Sequence, residues 1–216
     1  MIKGIVFDLD GTLIDSNLHL AKSWVTVFKE LGYAITVEYY FKELRGLSAR
    51  DIIKKVTRIE NDERIKDIIE RRKEILSSSI NDIKPFPEVQ PTLSQLKLLN
   101  LKLAIASSLS YDIMQVLKNK LQFNQIEAWV SSDMVKEGKP KPDVFIEALK
   151  RINISSKESI IVGDSINDMI PAKSIGAIAV YIKRYKDDYN NIADYVINSL
   201  LELVEIAKRY LLLHQI

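Results

Sequence analysis

The chain has 216 residues, 47% of them hydrophobic, and a formal net charge of +2. That is apolar material for one large domain, or one domain with a smaller insert, and the near-balanced charge excludes a nucleic-acid footprint or an acidic tail as the basis of function. The lack of cysteine excludes disulfides, thiolate catalysis and Cys-ligated zinc, and fits an expected cytoplasmic location. The opening MIKGIVFDLD carries charge too early for a signal peptide. No uncharged run approaches the ~18 residues of a membrane span, so no membrane contact is expected.

Gly4–Phe7 is a short apolar run that reads as a buried strand, and it leads into Asp8-Leu9-Asp10-Gly11-Thr12. No convincing strand follows between residues 17 and 82. The spacing predicts a first helix with Ser16 as N-cap, carrying Trp24, Val25, Val27, Phe28 and Leu31 before Gly32. A second follows Ser48, with Ile52, Ile53 and Val56 on one face. A third starts near Asn61 and repeats Ile65, Ile68, Ile69, Ile75 and Leu76. KPFPEVQ, residues 84–90, contains two prolines and reads as a connector. Apolar runs then recur at Leu101–Ala106, Ala128–Val130, Ser159–Val162 and Ala177–Ile182, separated by helical patterns. Continuous apolar strands alternating with helices predict an α/β chain with a parallel sheet covered on both faces. The final LLELVEIAKRYLLLHQI, residues 200–216, is interrupted by Glu202, Glu205, Lys208 and Arg209 and reads as a packed amphipathic helix.

Four polar clusters follow four of the apolar runs, and sites in open α/β sheets form beyond the carboxyl ends of strands. Side chains alternate along an extended segment, so Asp8 and Asp10 are expected on one side while Leu9 returns to the core. Two carboxylates held together repel, and one pKa rises unless a cation intervenes. The pair therefore suits a divalent ion, a nucleophile–acid pair, or both. A lone Asp-Gly is an ordinary turn; a strand running into D-x-D-G-T is a more specific signal. Ser107-Ser108 ends LKLAIA and can hold a phosphate oxygen, although Ser-Ser is also a common helix entrance. In GKPKPDVF, residues 138–145, two prolines stiffen the backbone around Lys139 and Lys141. A fixed ammonium there can neutralise phosphate charge, although a loop lysine alone is an ordinary surface charge. In SIIVGDSIND, Asp164 follows a strand directly and Asp168 lies four residues on. Asp164 capping the helix that runs to Gly176 is the simpler reading, and it can do both. Carboxylates, a lysine and a serine together read as a metal-assisted phosphoryl-transfer site, since magnesium takes one or two carboxylates alongside phosphate oxygens.

FDLDGTLIDS, ASS, GKPKPD and GDSIND resemble, in order, the four motifs of the haloacid dehalogenase-like hydrolase superfamily, and the likeness spans nearly the whole chain. The helical stretch after the first motif resembles the small cap of the superfamily's phosphoglycolate phosphatase and β-phosphoglucomutase branch. The resemblance implies a Rossmann-like core of residues 1–16 and 83–216 with an all-helical cap domain at 17–82. It implies a Mg²⁺-dependent phosphatase acting on a small phosphorylated metabolite, phosphoglycolate-like or a sugar phosphate. By that likeness Asp8 is the nucleophile that forms an aspartyl-phosphate, and Asp10 is the general acid and then the base. Ser107, Ser108, Lys139, Gly11 and Thr12 hold phosphate. Asp8, the Asp10 carbonyl and Asp164 hold the metal, and Asp168 orients its neighbours. LRGLSARD, residues 44–51, resembles the cap loop facing the site, which makes Arg45, Ser48 and Arg50 candidates for touching substrate.

A sugar phosphomutase is the alternative; relatives of that kind carry a histidine where this chain has Leu20, with His19 one residue earlier. A dehalogenase is disfavoured because that branch lacks the second motif aspartate, present here as Asp10. A non-catalytic phosphate-binding or interaction protein is the remote alternative. Nothing in the sequence separates monomer from homodimer. Asp15 and Ser16, past the Gly11 turn, are expected to shape the hinge into the helical stretch.

Overall fold

The computed structural model describes residues 1–185 and 191–212; the end of the expected C-terminal helix, residues 213–216, lies outside them. Six strands, β1 (Gly4–Phe7), β2 (Lys102–Ala106), β3 (Ala128–Val130), β4 (Ser159–Gly163), β5 (Ile178–Ile182) and β6 (Tyr195–Ile197), form one parallel sheet. Their order is β3-β2-β1-β4-β5-β6. Five of the strands fall on the predicted apolar runs. The sixth, a three-residue edge strand, has no run long enough to announce it.

The sheet is covered on both faces because its strands are apolar on both. Ile5 and Phe7 belong to one cluster, with Leu93 and Leu96 of α5 (Val89–Leu98) and Leu203 and Val204 of α9 (Leu201–Leu212). Val6 belongs to another, with Phe145 and Ala148 of α7 (Asp143–Arg151) and Met169 and Ala172 of α8 (Ile166–Ser174). The remaining helix of the sheet region is α6 (Tyr111–Leu121). Strands are added on one side of β1 as far as β3 and on its other side from β4 onward, and this switch opens a crevice beyond the carboxyl ends of β1 and β4.

Between β1 and α5 the described structure is helical: α1 (Asn17–Glu30), a short α2 (Val37–Tyr39) running into a wide turn over Tyr40–Leu44, α3 (Ala49–Thr57) and α4 (Asp62–Ser77). Ser48 accepts a hydrogen bond from the Asp51 N–H at 3.2 Å, and Asn61 accepts one from Arg64 N–H at 2.9 Å, which caps α3 and α4 as their sequences predict. Leu20, Trp24, Phe28, Ile53, Ile65 and Leu76 join the same apolar cluster as Ile5 and Phe7, so the helices rest on the sheet region through continuous packing. The two connections run side by side. Asp15 N–H donates to the Lys84 carbonyl at 2.9 Å and Phe86 N–H to the Leu13 carbonyl at 3.1 Å. Arg184 ties both together: it donates to Glu88 and to the Thr12 carbonyl, and lies 3.8 Å from the Phe86 ring centre.

Candidate active site

Asp8, Ser107 and Asp164 directly follow β1, β2 and β4, so the sheet alone gathers the first, second and fourth motifs. The third arrives from the loop before α7. Lys139 is 1% exposed. Its Nζ donates to Asp8 Oδ1 at 2.6 Å and to the Ala106 carbonyl at 2.9 Å. It also lies 2.8 Å from Asp168 Oδ1, an ion pair outside hydrogen-bond angles. Lys141 is exposed, so of the two motif lysines it is Lys139 that enters the site. Thr12 Oγ1 donates to the other Asp8 oxygen at 3.0 Å.

Asp10 occupies a different setting. Ser16 donates to its Oδ1 at 2.6 Å and Ser107 to its Oδ2 at 3.2 Å. Ser16 therefore stands at the N-cap position of α1 without capping it. Asp164 does not cap α8 either. That helix starts one residue later from Ser165, and Asp168 Oδ2 accepts from Ser165 N–H at 3.1 Å and Ser165 Oγ at 2.7 Å. Gly163 allows the Asp168 side chain to approach, since a Cβ there would overlap it. Asp164 Oδ2 accepts from Asn17 Nδ2 at 3.1 Å.

Burial raises the pKa of Asp8 well above the ordinary carboxylate value; Lys139 opposes this, and Asp168, Asp164 and Asp10 add to it. Burial also raises Asp10, against hydrogen bonds from Ser16 and Ser107. Asp164 is pushed up to about 7 by burial, with Arg45 the main opposing charge. Burial disfavours the Lys139 ammonium, but Asp168 and Asp8 outweigh it and raise that pKa above normal. The cluster thus holds more negative charge than its cations neutralise. Oxygens of Asp8, Asp164 and Asp168 lie within 4.8 Å of one another. Hard carboxylate oxygens with excess charge fit Mg²⁺. Both Asp168 oxygens are engaged, by Ser165 and Lys139, and both Asp8 oxygens, by Lys139 and Thr12, so an ion among these three carboxylates would share them with the donors already present.

The structure redirects several expected contacts. Gly11 N–H donates to the Ile14 carbonyl at 2.8 Å and Thr12 N–H to the Leu9 carbonyl at 3.3 Å, so both amides are used in shaping the turn. Ser107 meets Asp10, and Ser108, whose Oγ donates to the Gly46 carbonyl at 2.7 Å and fastens the 44–51 loop, lines the cavity that Asp8 and Asp10 open onto. In that loop Arg45 is buried, its guanidinium carbon 6.0 Å from the Phe41 ring centre and 5.2 Å from that of Tyr185, two rings that also touch each other. Its Nη2 donates to the Asp164 carbonyl at 3.1 Å and its Nη1 lies 3.6 Å from the Asp164 carboxylate. Asn167 donates to the Arg45 carbonyl at 2.8 Å. Ser48 caps α3, and exposed Arg50 pairs with Asp62. Both border an outer cleft between α3, α4 and the loop at 132–141, not the space above Asp8.

Asp8, Asp10 and Asp164 open onto a cavity of about 30 Å³ whose far wall holds Leu20, Trp24, Tyr40, Leu47 and Arg72. Asn17, Tyr40 and Arg72 are the residues that sequence reasoning missed. Arg72 left one readable signal, a charge on the buried stripe of α4 formed by Ile65, Ile68 and Leu76.

A model of haloacid dehalogenase-like hydrolases matches residues 5–182. The chain belongs to this family. It is 30% identical over 215 residues to the phosphoglycolate phosphatase of Aquifex aeolicus, covering 96% of this chain and 97% of that one. It is also 30% identical over 232 residues to the glyceraldehyde 3-phosphate phosphatase of Methanocaldococcus jannaschii, covering 96% and 98%. Among solved structures, a hydrolase from Pseudomonas syringae superposes with a TM-score of 0.85 at 27% identity, covering 97% of this chain and 99% of the other.

Proposed function

We propose that the chain is a magnesium-dependent phosphatase that hydrolyses a small phosphomonoester through an aspartyl-phosphate on Asp8. Residues 17–82 act as a cap over a core of residues 1–16 and 83–216. The observation that carries this reading is the split environment of two buried carboxylates on one cavity: Asp8 held by Lys139, Asp10 held by two hydroxyls. Such a division separates nucleophile from acid–base. An ionised Asp8 oxygen attacks phosphorus, and the bond to the leaving oxygen breaks as Asp10 protonates that oxygen. Asp10 then takes a proton from water attacking the Asp8–phosphate, which releases phosphate and restores Asp8. The raised pKa of Asp10 keeps a proton available for the first step. Lys139 and the Ser107 hydroxyl face the transferring group. Asp8, the Asp10 carbonyl and Asp164 would hold Mg²⁺, which supplies positive charge against the phosphoryl oxygens. Asp168 keeps Lys139 in position.

Leu20, apolar and on the cavity wall, favours hydrolysis over a mutase, which would need a proton-transfer group there. The test is release of phosphate from an aryl phosphate. Wild type with Mg²⁺ should turn over, excess chelator should stop it, and Asp8→Asn should abolish it while melting as a folded protein. Retained metal-dependent turnover in Asp8→Asn removes the nucleophile assignment. Efficient conversion of glucose 1-phosphate to glucose 6-phosphate with a bisphosphate primer would favour the mutase instead.

A further inference from the structure

Thr12 is fully buried, and it grips the Asp8 carboxylate. Its Oγ1 donates to Asp8 Oδ2 at 3.0 Å, while Lys139 takes the other oxygen. The turn that presents Thr12 closes largely on itself. The N–H groups of Thr12, Leu13 and Ile14 all donate to the Leu9 carbonyl, and Gly11 N–H donates to the Ile14 carbonyl. The Thr12 carbonyl is held from outside the turn, by a side chain 172 residues further along: Arg184 Nη2 donates to it at 3.0 Å. Arg184 stands two residues beyond β5, with its side chain 10% exposed.

The guanidinium is itself anchored. Its Nη1 donates to Glu88 Oε1 at 2.6 Å, and its carbon lies 3.8 Å from the Phe86 ring centre. Glu88 stands at the N-cap position of α5, so the anchor is the start of a core helix. A fork serves this arrangement because one terminal nitrogen faces a carboxylate while the other faces a carbonyl. Among the described residues Arg184 Nε is buried and finds no acceptor, a desolvation cost that an aliphatic side chain of similar volume would not carry. Stability alone therefore does not account for an arginine here.

In-line attack on phosphorus needs one Asp8 oxygen aimed at it, and a carboxylate that turns about its Cβ–Cγ bond loses that aim. Lys139 and Thr12 fix the rotation from both oxygens. The Thr12 hydroxyl can do so only while its own backbone is fixed, and Arg184 supplies the outer hold on that backbone. Arg184 does not line the cavity that Asp8 and Asp10 open onto, so it reaches the nucleophile through Thr12 and not through substrate.

We propose that Arg184 is a positioning residue for the nucleophile: by holding the Thr12 carbonyl it keeps Thr12 Oγ1 on Asp8 and fixes the direction of the attacking carboxylate. The proposal rests on the phosphatase reading and adds to it a residue outside the four motifs.

The test is a double-mutant cycle on aryl phosphate turnover with Mg²⁺, run on variants whose melting shows that they are folded. Arg184→Met and Arg184→Lys should each lower kcat about 10-fold and leave KM within about 2-fold, since neither alters the cavity wall. The lysine ammonium would go to Glu88, the charged acceptor, and leave the Thr12 carbonyl. Thr12→Val, which removes the hydroxyl at nearly constant volume, should lower kcat at least as far. In the Thr12→Val background either Arg184 substitution should lower kcat by no more than about 2-fold further, because the hydroxyl it positions is gone. If the methionine variant does not fold, the lysine variant completes the cycle. Effects that multiply in the double variant, as a merely stabilising role would give, would overturn the proposal. So would a raised KM with kcat intact, or wild-type kcat in either Arg184 variant. A wild type without turnover removes the phosphatase reading and this proposal with it; an active wild type with multiplying effects removes this proposal alone.

Discussion

Replacing Lys139 with methionine keeps most of the buried volume and removes the charge. Nζ lies 2.6 Å from Asp8 and 2.8 Å from Asp168, and Asp164 completes a group of oxygens within 4.8 Å. At pH 8 the variant must bury the same carboxylates with one fewer cation. Removing one partner of a buried ion pair costs about 3–5 kcal/mol. For a chain of this length each kcal/mol moves Tm by roughly 2–4 °C, so the expected loss is roughly 6–20 °C. The loss should shrink at pH 5. Lys139 holds down an Asp8 pKa that burial raises; without it the folded carboxylate takes a proton more readily than the unfolded one. The folded variant then binds the extra proton, and its stability rises as pH falls. Thermal melts of wild type and variant in chelator at pH 5 and pH 8 read both effects. A Tm within a degree of wild type at pH 8, or a deficit no smaller at pH 5, would refute the claim that Lys139 neutralises this cluster.

Two further outcomes follow from the same geometry. Asp8, Asp10 and Asp164 have raised pKa values when folded, Asp164 at about 7, so without metal their contribution to stability falls as pH rises from about 4 through 7. Mg²⁺ binding to the ionised cluster should therefore raise Tm more at pH 8 than at pH 5; equal shifts would contradict the assigned site. Gly11→Ala should destabilise more than Gly32→Ala. Both glycines have positive φ, 78° and 83°, which costs another residue about 1–2 kcal/mol, but only at Gly11 would the Cβ overlap Asn17 and the Asp164 carboxylate. Equal melting temperatures for the two variants would show that the close approach does not matter.

Much of the fold was legible because burial leaves a periodic trace. Val6, Ile105 and Val162 sit in uninterrupted apolar runs because parallel strands are covered on both faces. The edge strand Tyr195–Ile197 is short and only partly buried, and it left no such trace. The caps of α3 and α4 are local and were readable from Ser48 and Asn61. Ser16 has the same residue type in the same position, yet its hydroxyl goes to Asp10, because a charged acceptor lies within reach. Asp164 looked like a cap and is not one, because Ser165 and Asp168 close the box first.

The sequence by itself determined which groups could do chemistry and which stood at strand ends: Asp8, Asp10, Lys139 and Asp164 are all placed by local pattern. Only the tertiary structure decided who faces whom. Lys139 meets Asp8 across 131 residues of chain, and Arg45 turns to Asp164 across 119. Arg72 interrupts an apolar stripe with a charge that one helix cannot explain. Periodicity reports how far a side chain is buried, because it repeats with the backbone. The partner of a buried charge is set by packing between distant segments, and it becomes visible only when those segments are in place.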